Sequence, residues 1–239
     1  MNKNLDVSLV MEKSWSIFKN NWLRLSCMSL LVFAGSWLVD LFTPITLPTN
    51  GTPEEIIIWL IDNWGYCYLW DFLSSLVIIC LSVLLYKEIL IIVKGKPVAL
   101  SASIFMRYIV VSVILSIVDD VTFCCCIIPY LIVAPRLLLA DIYILDNPNM
   151  SVGEALERSW NATKGNTIKL IVLGIIAIGV VLLGCCCCCI GIIPAMALIY
   201  VMMVVIYQFL NDQTECTVDV ETKQDEVSFV VEENSASQD

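Results

Sequence analysis

Long apolar runs separated by short charged segments dominate this chain. A helix needs about 20 apolar residues to cross the hydrocarbon of a bilayer, and the runs Trp22 to Val39, Leu69 to Tyr86, Ser103 to Val118 and Val121 to Ala140 approach that length. From Ile168 to Leu210 the only charge is Lys169, at the start. That stretch is about twice a single span, so it predicts a hairpin of two helices. Gly184, Gly191 and Pro194 mark its turn, with Pro194 suited to the first turn of the returning helix. Six crossings are expected. The third is the shortest, and Asp119-Asp120 is expected to form the tip of a tight hairpin with the fourth. Pro129 and Pro135 should kink or unwind that fourth crossing, because each removes a backbone hydrogen bond.

A second pattern precedes two of these runs. Glu12-Lys-Ser-Trp-Ser-Ile-Phe-Lys-Asn-Asn-Trp-Leu-Arg-Leu25 is echoed 145 positions later by Glu157-Arg-Ser-Trp-Asn-Ala-Thr-Lys-Gly-Asn-Thr-Ile-Lys-Leu170. The matched positions include Trp15 and Trp160, Lys19 and Lys164, Asn21 and Asn166. An internal repeat over 6–25 and 151–170 is expected, as in membrane proteins built by duplication. In the first copy Met11, Trp15, Phe18 and Trp22 fall at i, i+4, i+7 and i+11, with Lys13, Lys19 and Arg24 beside them. This spacing predicts an amphipathic helix lying on the membrane surface, serving anchoring and topology or else binding a partner or lipid headgroup. Asp6 is a plausible cap for the first copy and Ser151-Val-Gly-Glu154 a capping box for the second. Leu100, Ile104 and Arg107 give a weaker third instance. Lys164-Gly165-Asn166 lacks the frame of a phosphate loop and reads as a helix-ending turn. In the longest loop, Thr52-Pro53-Glu54-Glu55 is a strong helix start. A short interfacial helix should follow over 56–61, with a re-entrant loop as the alternative.

Charge sets the orientation. Lys3, Lys13, Lys19 and Arg24 precede the first span, Lys87, Lys94, Lys96 and Arg107 lie between the second and third, and Arg158, Lys164 and Lys169 between the fourth and fifth. The opposite loops hold acids and no Lys or Arg. Positive residues stay in the cytoplasm, so both termini are expected there, in the cell (inner) membrane. Trp37, Trp59, Trp64 and Trp70 then belong to the outer aromatic belt and Trp15, Trp22 and Trp160 to the inner one.

Composition agrees with lipid as the solvent: 59% of residues are hydrophobic and 15% charged, against about 25% charged in soluble domains. The net charge of −10 is largely local. Residues 211–239 carry nine acids and one lysine and read as a disordered cytoplasmic tail, leaving 1–210 as the transmembrane domain. No basic stripe for nucleic acid appears, and no cleaved leader is expected, since the first apolar run begins late. The absence of histidine removes Ser-His-Asp and Cys-His catalysis and His metal sites. Eight of twelve cysteines lie in Cys124-Cys125-Cys126 and Cys185 to Cys189. They read as small apolar residues in packed helices, or as a disulfide or metal contact between the two runs. Asn161-Ala-Thr163 matches a glycosylation sequon on the wrong face. Asn50-Gly-Thr52 lies on the outer face, where it would count only in a eukaryote.

Ionisable residues at membrane depth are the default place to look for function. Lys87, Glu88, Arg136 and Asp141 fall at one inner level. They either line a polar cavity as a charge cluster or snorkel separately to the headgroups. No nucleophile–base pair, cofactor motif or zinc-spaced cysteine set is visible, so neither an enzyme nor a cofactor is expected.

The stretch Tyr143-Ile-Leu-Asp-Asn-Pro-Asn-Met-Ser-Val-Gly-Glu-Ala-Leu-Glu-Arg-Ser-Trp160, then Thr163-Lys-Gly-Asn166 and Ile190-Gly-Ile-Ile-Pro194, resembles a group of uncharacterised bacterial multi-pass membrane proteins. It is also similar to the membrane domain fused to some glycerophosphodiester phosphodiesterases. The resemblance covers roughly 125–210 and brings no established activity; the cysteine runs and acidic tail depart from it. The expected fold is all-α, a polytopic transmembrane bundle of about six helices in three hairpins with amphipathic interfacial helices. The first functional reading is a non-enzymatic membrane scaffold, assembly or envelope-homeostasis factor, with the bilayer, other membrane proteins or a second copy as partners. The second is a small-molecule or ion transporter or channel with a polar site near Arg136.

Overall fold

The computed structural model describes residues 5–42, 52–95, 97–98, 100–125, 127–186 and 191–211, so the acidic tail lies outside the described residues. Among them the regular structure is entirely helical. The order is α1 (Val7–Leu41), α2 (Pro53–Asp62), α3 (Trp64–Lys94), α4 (Ala102–Cys125), α5 (Ile127–Leu137), α6 (Ala140–Asp146), α7 (Val152–Thr163) and α8 (Thr167–Cys186), followed by α9 (Ile192–Asn211). Five of these, α1, α3, α4, α8 and α9, are long and apolar enough to cross a membrane. The protein is an all-α, multi-pass membrane bundle. Its outside says the same: along α8, Ile168, Ile175, Ile178, Leu182 and Leu183 are all exposed, which lipid tolerates and water does not.

The hairpin of the third and fourth expected crossings is present, but its tip is displaced. Asp119 and Asp120 lie inside α4, which continues to Cys125. No glycine or proline interrupts the chain there, and Thr122 donates back to the carbonyls of Val118 and Asp119, so the helical ladder carries on past the acids. Return contacts run from α5 and α6 to α4. The fourth crossing is not one helix but two, of 11 and 7 residues, neither long enough to span alone. Pro135 lies near the end of α5, and the groups freed at the break are taken up by α7. Ser159 donates to the Arg136 carbonyl at 2.8 Å and accepts from the Leu139 N–H at 3.2 Å, while Thr163 also donates to Arg136. Irregular backbone is tolerated here because protein satisfies it.

The expected caps form. Thr52 and Glu55 close a capping box on α2, as do Ser151 and Glu154 on α7, and Asp6 accepts from the Ser8 and Leu9 amides at the start of α1. Asn21 breaks the helical geometry of α1 (φ −127°, ψ 19°) and turns its amide back to the Ile17 carbonyl. At the matching position Asn166 accepts from the Leu170 N–H and opens α8, after Gly165 at φ 89°. The Asn166 side chain also accepts from the Leu5 amide. Further ties collect at this end of the bundle: Lys13 donates to Gln208, Arg24 pairs with Glu88, Lys94 with Asp146, and Arg107 donates to the carbonyls of Pro148 and Met150. The core lies beside them, where Leu85, Ile89, Ile142, Leu145, Val205 and Tyr207 are all buried.

Candidate functional site: a hydroxyl-lined cleft

Polar side chains recur at helical spacing on two apolar helices. On α3, Tyr68, Asp71, Ser75, Ser82 and Tyr86 lie on one line of three- and four-residue steps that Ile79 interrupts; on α4, Tyr108, Ser112, Ser116 and Asp119 follow one another at such steps. Such steps keep side chains on one helix face. The two stripes face each other, and Ser82 meets Tyr108 at 2.9 Å. Between them lies a cavity of about 320 Å³, closed by Tyr130 and Ala134 of α5, Asp141 of α6 and Tyr200 of α9. A second cavity of about 440 Å³ adjoins it, where Tyr68, Asp71, Ser75 and Asp120 stand among apolar side chains such as Phe72 and Ile117. Ile79 and Ser116 line both. Together the two cavities extend along this cleft from Asp71 and Asp120 to Asp141. No Lys or Arg lines either part.

Hydrogen-bond direction gives this lining its character. The Ser82 hydroxyl donates to the Ile79 carbonyl. Its single hydrogen is then used, so Tyr108 must be the donor in the Tyr108–Ser82 contact. Ser112 donates to the Asp141 carboxylate at 2.8 Å, and Ser116 donates to the Ser112 carbonyl. Four hydroxyl hydrogens are thus committed to protein acceptors. What these groups offer the cavity is oxygen lone pairs, beside a carboxylate at its deep end.

The four residues singled out as an inner cluster have different partners. Glu88 pairs with Arg24 at 2.5 Å. The Arg136 guanidinium lies over the Trp160 ring at 4.5 Å, a cation–π contact that joins α5 to the surface helix α7. Asp141 faces the cleft with Ser112, and Lys87 joins none of these pairs. In the repeated motif, Trp15 packs against Phe18 and stays 55% exposed, Trp160 is 36% exposed, and Lys164 ends α7. The acids at the starts of α1 and α7 are held below the usual carboxylate range. For Asp6 the Ser8 hydroxyl is the main cause, and for Glu154 the Ser151 amide is.

A node absent from the sequence reading lies nearby: Asp146 accepts from Lys94 at 2.5 Å and from the Tyr207 hydroxyl. Among the described residues no group of three or more His, Cys, Asp or Glu could hold a metal ion. The side chains of Cys124–Cys126 and residues 187–189 lie outside the described residues, so the disulfide or metal contact expected between the cysteine runs does too. No protein-family profile, curated protein or solved structure matches this chain.

Proposed function

We propose that this is a bacterial cytoplasmic-membrane protein that takes up a small solute from the outer side through the cleft between α3, α4, α6 and α9. One observation carries the reading: a cavity striped with polar side chains holds a carboxylate that no Lys or Arg neutralises, and Asp71 and Asp120 line the adjoining cavity. A carboxyl group at membrane depth is costly, and it is kept where it faces a cavity used for binding or passage. The basic residues Lys13, Arg24, Lys94 and Arg107 all belong to one end of the bundle, which supports both ends of the described chain facing the cytoplasm. The bacterial assignment is part of the proposal and rests on the sequence resemblance over residues 125–210 alone. Matched breaks at Asn21 and Asn166 support a duplicated unit of a lead-in helix followed by a span. The scaffold reading rests on exposed Trp15 and Trp160, whose exposure interfacial lipid already accounts for.

The test is accessibility joined to flux. The full chain is reconstituted in vesicles, and Ser116→Cys is treated from outside with a membrane-impermeant thiol reagent, with the modified peptide mapped. Modification at position 116 is expected. Wild type is expected to show solute-driven swelling, and Ser116→Trp should abolish it. No modification and no swelling difference in a correctly inserted protein would overturn the proposal. Orientation is read separately from reporters at Gly51, expected outside, and at Gly95 and Gly165, expected inside.

A further inference from the structure

The chemistry of the cleft selects among solutes. An anion needs donors, and the hydrogens of Ser82, Tyr108, Ser112 and Ser116 are already bound to protein acceptors. Their lone pairs and the Asp141 carboxylate give an electronegative lining suited to a cation. Tyr86, Tyr108 and Tyr200 line the same cavity as Ser112 and Asp141, so residues from α3, α4, α6 and α9 contribute oxygens to it.

Charge count narrows the choice further. Divalent ions are held by several carboxylates or keep much of their water. The cavity is lined by two, Asp119 and Asp141, but Asp119 lies two helical turns from Ser112 on α4, about 10 Å along the axis, so the deep end offers one carboxylate and neutral hydroxyls. A single negative charge matches a single positive one. A proton on Asp141 could engage one surrounding oxygen through its single O–H, while an alkali cation replaces its water shell with several of them. The acids Asp71 and Asp120 at the mouth raise the local concentration of any cation arriving from that side.

We propose that the deep end of the cleft is a binding site for a dehydrated monovalent metal cation of the Na+ class, with Asp141 as its charged ligand and Ser112 and Tyr108 as hydroxyl ligands. The proposal rests on the cleft being the working site and assigns it a ligand.

Equilibrium binding of radiolabelled Na+ to the purified full chain in detergent, at one fixed pH, tests it. Wild type should bind saturably, at about one ion per chain, and unlabelled NaCl should compete. Loss of outer-shell partners alone weakens metal sites roughly 10- to 100-fold, so Asp141→Asn should weaken binding by about 100-fold or more. Ser112→Ala and Tyr108→Phe should each weaken it by a smaller factor, Asp141→Glu should retain part of it, and Glu88→Gln should leave it unchanged. Size-exclusion profile and helical circular dichroism confirm that each variant is folded. No saturable binding by wild type, displacement by an equivalent of Mg2+ or Ca2+, or an Asp141→Asn variant that binds like wild type would each overturn the assignment. If position 116 is modified from outside and Ser116→Trp blocks swelling while Na+ fails to bind, the cleft stands and the cation class falls. If position 116 is also unreactive and swelling unchanged, the cleft reading falls as well.

Discussion

Replacing Tyr207 by Phe isolates a single interaction in the least exposed part of the bundle. Tyr207 is fully buried on α9, and its hydroxyl donates to the Asp146 carboxylate at the end of α6. The same carboxylate takes the Lys94 ammonium at 2.5 Å. Phenylalanine keeps the ring, and with it the edge-on contact with Tyr143 (centroids 4.8 Å apart, planes at 83°) and the Lys94 ammonium 5.6 Å from the ring centre. Only the hydroxyl is lost. A hydrogen bond to a charged group contributes about 1.5–3 kcal/mol, and that is the expected destabilisation. Tyr207→Leu removes the ring pair as well, which should add about 0.5–1.5 kcal/mol. Reversible unfolding of the full chain in mixed micelles, titrating a denaturing detergent against a mild one and following tryptophan fluorescence, measures both. The hydroxyl acts on Asp146, so Tyr207→Phe should cost much less in an Asp146→Asn background. The coupling between contacting residues is expected at about 0.5–3 kcal/mol. A Tyr207→Phe loss below about 0.5 kcal/mol, or a cycle without coupling, would refute the view that this node ties α3, α6 and α9 together.

Other outcomes follow from other parts of the fold. Ser159→Ala should leave the buried Leu139 N–H without its acceptor, at about 1–3 kcal/mol, and faster hydrogen exchange at Leu139 should report it. Gly184→Val should open the α8–α9 hairpin, because a Cβ at Gly184 would lie 2.6 Å from the Gly191 carbonyl oxygen. Overpacking of this kind costs about 1–3 kcal/mol, visible as a lower unfolding midpoint. Glu154 is held below its ordinary pKa of 4.5 by the Ser151 amide and hydroxyl. Its capping contribution is therefore complete above that value and lost as pH falls through the lower folded-state value. Amide exchange in α7 should rise on acidification in wild type and change less in Glu154→Gln.

Much of the architecture was legible because lipid imposes strict rules on a sequence. Runs of apolar residues near bilayer length, the caps at Thr52, Ser151 and Asp6, and the glycine–proline turn before α9 are all local signals. Each acts within a few residues, through backbone hydrogen bonding or solvent transfer. Asp119-Asp120 misled because two acids look like a loop in an apolar context. Helix continuity is instead decided by the backbone ladder, and these acids face a polar groove that their neighbours in sequence do not reveal. The serine and tyrosine stripes of α3 and α4 were present in the spacing, but a stripe acquires meaning only when another helix faces it.

The sequence by itself determined that the described chain is helical, that several stretches are apolar enough to cross a membrane, and where helices are capped, because those follow from periodicity, length and local hydrogen bonding. Only the tertiary structure decided that Asp141 belongs with Ser112 and Tyr108 rather than with Arg136, Lys87 and Glu88. That choice depends on how α4, α6 and α7 rotate about their axes when packed, and on Trp160 claiming the guanidinium. Side chains at one depth can face opposite ways, and only packing says which of them meet.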